Sequence, residues 1–375
     1  MSRTIVDVHI LQSVPPSNLN RDDTGSPKSA TYGGVRRARV SSQAWKRATR
    51  FAFRDQVDPE EFGVRTKRVV ELLAGRVHEL DADVAEPDAA ALSVLTAAGI
   101  KVKEPRGKKD APAESGYLLF LSAQQVDALA RLAVDAARSG DAPDKKMAQS
   151  LIKGKNSVDL ALFGRMVADV TDLNVDASCQ VAHALSTHAV DTEYDYFTAV
   201  DDHKSDDAEE DAGAGMIGTV EFNSATLYRY ATVDVDLLAG NIGSAAATER
   251  AVRVFLDAFA KSMPTGKQNT FANRTLPDAV VLSVRDDQPV NYVGAFEEPV
   301  VTGAGKGRMA ESARRLARYA DDVETAYGSA PLRTWVVAVG GAKDQLAGFG
   351  ETSGFEDAVV GVSGLVAERL AAEDR

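Results

Sequence analysis

One segment of the chain concentrates residues that bind phosphate. Between Arg21 and Arg54 there are nine lysines and arginines against two aspartates, a net charge of +7. The whole chain carries −12, so this segment opposes the charge of its surroundings. Lysine and arginine attract phosphate by charge and donate hydrogen bonds to it, which makes the segment a candidate nucleic-acid site. Its cations are Arg21, Lys28, Arg36, Arg37, Arg39, Lys46, Arg47, Arg50 and Arg54.

The second half of this basic segment is predicted to be a helix that begins at Ser41 or Ser42. A serine caps a helix by accepting from its first backbone amides, and the following residues are mostly good helix formers. Helical spacing puts polar side chains on or beside one stripe, namely Gln43, Lys46, Arg47, Arg50 and Arg54. The stripe expected to face inward holds Ala44, Ala48, Phe51 and Ala52. The positive helix end would attract phosphate, and a solvated charged face is the alternative.

Two glycines precede this helix, Gly33 and Gly34, just before the run Arg36 to Arg39. Glycine lets the main chain approach a ligand closely. Together with the cations, this favours contacts with a nucleic-acid backbone over contacts that read bases.

Residues that catalyse reactions or bind metals form few recognisable patterns in this chain. The five histidines include no HxxxH or HExxH pair, and one cysteine cannot build a zinc cluster. His183 and His188 are five apart, so a helix would not bring them to one face. The Gly-Lys loops at 264–269 and 303–307 both lack the GxxxxGK[ST] pattern of a P-loop. The sequence therefore predicts no metal and no cofactor.

Composition indicates a globular protein of the cytoplasm. Hydrophobic residues make up 44% and charged residues 26% of the 375 residues, which are ordinary values. The lone Cys179 forms no disulfide within the chain, which favours a reducing compartment. The first residues are too polar for a signal peptide, and no run is long enough to span a membrane. Ten acids between Asp191 and Asp211 carry much of the negative charge, so any nucleic acid would be held in a focused groove.

The order of predicted elements indicates an α+β fold. Strands are expected at 4–14, ended by Pro15 and Pro16, and at 224–238, 280–284 and 335–339. Helices are expected at 66–80, 88–98, 123–138, 147–153, 157–170, 178–187, 247–263 and 309–327. Two extended arms, 194–200 and 218–222, flank a polar segment and predict a long hairpin. This arrangement is typical of a ferredoxin-like core with a helical insertion.

Five motifs follow one another along most of the chain. They are Asn18-Leu-Asn-Arg-Asp-Asp, Tyr32-Gly-Gly-Val-Arg-Arg-Ala-Arg-Val-Ser-Ser-Gln, Asp159-Leu-Ala-Leu-Phe-Gly-Arg-Met, Asp195-Tyr-Phe-Thr-Ala-Val-Asp-Asp and Pro264-Thr-Gly-Lys-Gln-Asn-Thr-Phe-Ala. In this order they resemble the CasC-type backbone subunit of the type I-E CRISPR surveillance complex, Cascade.

The resemblance implies a right-hand architecture with a modified RNA-recognition-motif palm, helical fingers and a β-hairpin thumb. The palm would comprise 1–57 and 181–375, the fingers 58–180, and the thumb 191–223 within the second part of the palm. Such subunits polymerise along a guide RNA, the crRNA, beside other Cascade subunits, and they support pairing with target DNA in antiviral defence. The resemblance thus implies a non-catalytic RNA-binding protein that contacts further copies of itself and no membrane.

The resemblance also implies particular site residues. Guide RNA would be bound by Lys28, Ser41, Gln43, Lys46 and Arg50. The residue types of Arg36, Lys267, Gln268 and Asn269, a cation of the basic segment and a lysine with two amides on a glycine loop, add these four to the predicted RNA-binding set. Met166 would be an apolar contact to the RNA, with packing in the core as the alternative. Lys145 and Lys146 would meet target DNA or form a solvated pair. The thumb would use Phe197, Thr198 and Thr219.

Two other functions stay open. Backbone subunits of type III complexes look similar and cleave bound target RNA with a loop aspartate, and Asp22 and Asp23 could hold Mg²⁺ through oxygen ligands. A single-stranded RNA-binding protein that acts alone would use exposed aromatics. Aromatics make up only 6% of the chain, and Trp45, Phe51 and Phe53 are expected to pack inward. The non-catalytic backbone subunit is therefore the favoured interpretation.

Overall fold

A computed structural model of the chain describes residues 3–104, 112–167, 170–199, 216–303 and 307–373. Its strands, in chain order β1 to β14, are Ile5–Ser17, Ser29–Tyr32, Val35–Val40, Gly63–Thr66, Val102–Lys103, Glu114–Ser115, Leu119–Ser122, Cys179–Val181, Ala184–Ser186, Glu193–Ala199, Met216–Asp234, Ala279–Arg285, Arg333–Ala338 and Glu351–Thr352. Its α-helices, α1 to α11, are Ser42–Ala52, Val69–Leu80, Pro87–Ala97, Ala123–Ser139, Lys145–Lys153, Val158–Phe163, Val235–Ile242, Ala245–Lys261, Gln268–Phe271, Arg308–Tyr327 and Phe355–Glu373.

The chain divides into two compact units. The first unit comprises Met1–Phe51, Val181–Thr232 and Phe255–Leu365. The second unit comprises Ala52–Gln180, Val233–Val254 and Val366–Arg375. The predicted insertion at 58–180 thus lies within a unit that also takes in two later segments of the chain.

A large mixed sheet organises the first unit. Its strand order is β14-β13-β12-β1-β11-β9-β3-β2, and β8 and β10 also pair with β11. Strand β12 pairs antiparallel with both β1 and β13, while β13 and β14 are parallel. Helices and this sheet together confirm the predicted α+β class, and the finer assignment to an RNA-recognition-motif fold stays a prediction.

The central strand β1 is covered on both faces, since the eight residues from Ile5 to Gln12 are all buried. A hydrophobic cluster on one face includes Leu11, Val281, Leu316 and other apolar side chains. Burial on both faces is typical of a central strand between layers. The sheet therefore forms the rigid centre of the first unit, on which its loops and helices pack.

Polar side chains are buried beside β1 as well, and they are paired. The carboxylate of Asp7 accepts from the hydroxyl of Tyr230 at 2.8 Å, from Nε of Arg285 at 3.0 Å and from the amide of Val290 at 3.0 Å. Burial raises the pKa of Asp7 and lowers the pKa of the neighbouring His9 to about 3. His9 is therefore neutral in the folded protein near pH 7.

The second unit contains a separate helical core. Side chains from α2, α3, α4 and α5 form it, among them Val77, Leu95, Leu129 and Ile152. Ser122 begins α4 with a capping box, because its hydroxyl accepts from the amide of Gln125 and the Gln125 side chain accepts from the Ser122 amide. Helical periodicity predicted these helices to within a few residues.

Several predicted elements differ from the structure. The helix expected at 178–187 is wrong: β8 and β9 occupy this stretch, and β9 pairs with β3 on one side and β11 on the other. Pairing between distant segments here overrides local propensity. The helix expected at 157–170 ends at Phe163, because Gly164 takes a φ of +74°. Helix α11 was not predicted.

Strand β1 also runs through Pro15 and Pro16, which were expected to end it. The register with β12 extends from Ile5 to Leu11, so both prolines lie beyond these paired positions and are exposed. A proline is tolerated in a strand where no partner needs its amide. No helix in the described part of the chain combines the length and the apolarity needed to cross a membrane.

A tight hairpin joins β2 and β3. Tyr32 pairs with Val35, so the loop between them is only Gly33 and Gly34, with φ of +58° and +74°. A two-residue loop with two positive φ values suits glycine. A Cβ on Gly33 would lie 1.7 Å from the carbonyl oxygen of Glu297, whereas a Cβ on Gly34 would meet no atom within 4 Å. The close approach expected at Gly33 is thus to the protein's own backbone.

The two glycines should respond differently to alanine. Gly34→Ala should cost about 1–2 kcal/mol of unfolding free energy, because only the backbone strain is added. Gly33→Ala should cost more than about 3 kcal/mol, because the hairpin must also move away from Glu297. Urea denaturation of both variants measures the difference, and equal losses would contradict the close packing of this turn.

Candidate nucleic-acid interface

One cation of the basic segment, Arg37, is structural. Its side chain is fully buried and donates to four backbone carbonyls: Tyr32 at 3.1 Å, Ser186 at 3.0 Å, Phe296 at 2.9 Å and Glu297 at 3.1 Å. Desolvation lowers the pKa of this guanidinium, and the carbonyls replace its hydration. Arg37 therefore fastens β3 to two other segments of the first unit and is withdrawn from any ligand.

Helix α1 follows β3 and is fixed by its buried face. Ser41 is its N-cap, since its hydroxyl accepts from the amide of Ala44 at 3.2 Å. The fully buried Trp45 lies under the guanidinium of Arg229, whose central carbon is 3.7 Å from the ring centroid. The buried stripe holds Trp45 and Thr49, and the inward position predicted for Phe51 is wrong because Phe51 is 42% exposed.

The remaining polar residues of α1 lie on its outer side. Gln43 and Arg47 are exposed, and Lys46 and Arg50 are half-buried, one turn apart. Their i, i+4 spacing puts the two cations on one stripe, as predicted. Ser41, in contrast, is 7% exposed and its hydroxyl is used as the cap, so a phosphate contact by Ser41 would have to share that oxygen.

The loop before β2 brings Lys28 to the start of α1. The amide of Lys28 donates to the carbonyl of Asn20 at 2.8 Å, and the amide of Arg39 donates to the carbonyl of Lys28 at 2.9 Å. The side chain of Asn20 in turn accepts from the amide of Ser41 at 2.8 Å. Lys28, Arg39 and the first turn of α1 are thereby held as neighbours.

The loop at 264–269 packs against the same region of the first unit. A Cβ on Gly266 would lie 2.3 Å from the carbonyl oxygen of Leu19, so only glycine allows this approach. The next residue, Lys267, takes a left-handed φ of +50° and begins the short helix α9, on which Gln268 and Asn269 are exposed. The structure thus brings this predicted loop beside the loop that carries Lys28, although some 240 residues separate them.

The predicted hairpin is formed by β10 and β11, and its base lies beside the start of the loop that carries Lys28. The side chain of Asn18 donates to the carbonyl of Glu221 at 3.0 Å. Phe197 pairs with Gly218 and lies over it, while Thr198 and Thr219 lie on the opposite face. The tip of the predicted thumb, at 200–215, falls outside the described residues, as does much of the acidic run.

Met166 and the two lysines of the predicted fingers lie in the second unit. Met166 is 83% exposed, so the alternative that it packs in a core is wrong. Its neighbour Arg165 is buried and donates to the carbonyls of Leu173 at 2.7 Å and Ile152 at 3.0 Å, which fixes the turn that presents Met166. Lys145 and Lys146 are exposed in the first turn of α5.

Asp22, the candidate metal ligand, organises its own loop. One carboxylate oxygen accepts from the amide of Thr24 at 3.0 Å, from its hydroxyl at 2.7 Å and from the amide of Ser26 at 3.0 Å. The hydrogen bond from the Thr24 hydroxyl is the largest of the effects that lower the pKa of Asp22. Among the described residues, no group of three or more His, Cys, Asp and Glu side chains is arranged to hold a metal ion.

Sequence reasoning missed two residues of this region, His183 and Arg229. The imidazole Nδ1 of His183 accepts from the amide of Ser42 at 3.0 Å, at the start of α1. Arg229 is buried against Trp45, and desolvation lowers its pKa to about 9. Both residues act across more than 130 positions of sequence, and the only local signal was that each is a polar residue between apolar ones.

The fold and this surface define an α+β protein with a cationic strand–helix segment exposed on its first unit. The chain belongs to the CT1975-like protein family, whose model matches residues 6–359. This confirms the resemblance carried by the five sequence motifs.

Solved structures agree with this assignment. One chain of a CRISPR RNA-guided surveillance complex, pre-nicking, is 34% identical, with a TM-score of 0.86, and the match covers 96% of this chain and 100% of that chain. A chain of another CRISPR RNA-guided surveillance complex is 29% identical, with a TM-score of 0.74 and coverage of 96% and 99%. No curated protein matches the chain at a significant level.

Arg37 and its neighbour Arg36 test the division between structural and exposed cations. Arg37→Ala should lower the free energy of unfolding by about 3 kcal/mol or more, because buried carbonyls lose their donor. Arg36→Ala removes an exposed side chain and should change it by less than about 0.5 kcal/mol. Guanidinium denaturation measures both values, and a similar loss in the two variants would refute the structural role of Arg37.

Proposed function

We propose that this chain is a non-catalytic, crRNA-binding backbone subunit of a cytoplasmic type I-E CRISPR Cascade complex. Several copies polymerise along one guide RNA beside other Cascade subunits, and each copy binds the sugar-phosphate backbone. The family assignment and the similarity to chains of RNA-guided surveillance complexes support this role. Base pairing between guide and target DNA then supplies the sequence specificity, while the protein supplies shape and charge.

The observation that carries the proposal is the convergence of polar donors in the first unit. Lys28 is held at the start of α1, and Lys46 and Arg50 continue outward along the helix. Gly266 places Lys267 and its two amide neighbours against the same loop region. These side chains suit phosphate oxygens, and none of them is arranged as a code for base edges. A backbone contact that ignores sequence is what a guide of any sequence requires.

The charge of the first turn of α5 supports a contact between Lys145, Lys146 and nucleic acid. A helix begins with a partial positive charge, so cations there destabilise the helix slightly. The N-cap carboxylate of Asp144 offsets part of this cost, and an anionic partner would offset more of it. In the proposed complex the two lysines bind target DNA, and the exposed Met166 contacts RNA as an apolar side chain.

The hairpin serves as the thumb in the proposed complex. Phe197 and the Thr198–Thr219 face lie on opposite sides of the paired strands. The threonine face also carries the exposed Tyr194 and Tyr196, since Tyr196 pairs with Thr219. A hairpin that enters the guide–target duplex would therefore present aromatic rings on both faces and the threonine hydroxyls on one of them.

Replacing Lys46 and Arg50 by alanine tests the phosphate contacts. The double variant should bind guide RNA more weakly whatever the guide sequence, and the slope of log K against log salt should become shallower by about 0.7 for each lost phosphate contact. The matched control replaces Arg318 and Lys343, which are exposed elsewhere on the first unit. Filter binding at several salt concentrations gives both numbers. Unchanged affinity and slope in the Lys46/Arg50 variant would refute the proposal.

The absence of cleavage is tested with Asp22 and Asp23. The assembled complex should leave complementary RNA intact in the presence of Mg²⁺, because the Asp22 carboxylate already holds Thr24 and Ser26. Denaturing gels of end-labelled target RNA provide the measurement. Fragments at regular intervals that disappear in Asp22→Ala or Asp23→Ala would instead establish the ribonuclease alternative.

A further inference from the structure

His183 is placed at the start of α1 by strand register. Strands β3 and β9 are antiparallel, and Val40 pairs with Ala184. The next position along each strand brings His183 beside Ser41, where α1 is capped. Its Nδ1 accepts the amide of Ser42 at 3.0 Å, so this ring occupies one of the first amides of the helix.

This hydrogen bond fixes the tautomer of the imidazole. Because Nδ1 accepts a hydrogen bond from the main-chain amide of Ser42, the ring proton of neutral His183 is on Nε2. The residue is exposed, and Nε2 has no hydrogen-bond partner in the described ranges of the chain. Desolvation first, and then the charges of Arg39 and Lys28, lower the pKa of His183. At neutral pH the ring is an uncharged donor with cations beside it.

We propose that Nε2–H of His183 donates a hydrogen bond to a phosphate oxygen of the bound RNA. This inference rests on the proposed function and adds a residue to its site. The ring lies at the first turn of α1, close enough to Lys28 and Arg39 for their charges to act on it, so a phosphate attracted by these cations would lie near Nε2. The Ser42 amide donates its hydrogen bond to Nδ1 of this ring, so that amide cannot donate to a phosphate at the same time.

A neutral donor has a property that the lysines and arginines lack. It gives a directional hydrogen bond, yet it releases no counterion, because it adds no charge to the surface. His183 therefore fixes the position of a phosphate that the cations attract. Loss of this hydrogen bond should lower affinity without any change in salt dependence.

The variant His183→Asn tests this role. The asparagine oxygen can still accept the Ser42 amide, but no donor remains at the position of Nε2. The matched control is His78→Asn, an exposed histidine on α2 in the second unit. Binding of fluorescent guide-length RNA to the full chain is measured at several salt concentrations. His183→Asn should raise Kd about tenfold with the salt slope of the wild type, and His78→Asn should leave both unchanged.

Each outcome separates this inference from the proposed function. If the wild type binds RNA with a steep salt slope and His183→Asn binds equally well, the histidine contact is refuted while the function stands. A shallower salt slope in His183→Asn would show a charged imidazolium and also refute it. If the wild type binds no RNA, both proposals fall. Should the variant unfold, ¹⁵N spectra of labelled histidine in the wild type decide: addition of a short RNA should shift Nε2 more than Nδ1, and an unchanged spectrum overturns the contact.

Discussion

The burial of two guanidinium groups, Arg37 and Arg229, is the constraint on which the cationic surface depends. A guanidinium keeps its charge inside a protein, so its burial requires acceptors or aromatic faces arranged around it. Arg37 finds four carbonyls from separate segments, and Arg229 finds Gln12, the carbonyl of Phe259 and the ring of Trp45. Neither set forms unless β3 and α1 occupy their observed places. The buried arginines thus fix the elements that carry the exposed cations.

This division explains how a chain of net charge −12 can present a binding surface for an anion. The charge summed along the sequence differs from the charge at the surface. Arg37 adds to the sum, but it is buried and presents no charge to a ligand. Of the cations that keep some exposure, Lys28 and Arg39 lie near the start of α1, and Lys46 and Arg50 follow along the helix. A focused patch attracts phosphate within about a Debye length, over which acids elsewhere are largely screened. Net charge is therefore a poor guide to the function of such a protein.

Local patterns in the sequence predicted the elements whose stability is local. The amphipathic helix α4 and the first arm of the hairpin have their periodicity within a few residues, and the sequence predicts both nearly at their true bounds. The second arm is part of the longer strand β11, and helix α7 begins at Val235, inside the strand predicted to 238. Strand β9 is not predicted, because its backbone is satisfied by β3 and β11, about 145 residues before it and 40 residues after it. For the same reason the sequence predicts a ligand beside Gly33. The group that approaches Gly33 is the carbonyl of Glu297, which is distant in sequence. Long-range register and close packing leave no periodic signal in one chain.

The first turn of α1 shows why side chains, and not the helix end alone, must bind the phosphate in the proposed complex. The amide of Ser42 is taken by His183 and that of Ala44 by the Ser41 hydroxyl, so few of the amides that usually make a helix end an anion site remain available. These bonds stiffen the helix start, and they transfer the contact to longer groups further from the main chain. Lysine and glutamine side chains can adjust to a phosphate whose position varies with the local guide conformation. A fixed helix start that carries flexible lysine and glutamine side chains suits a guide RNA, because its sugar-phosphate backbone has the same chemistry at every position while its bases differ.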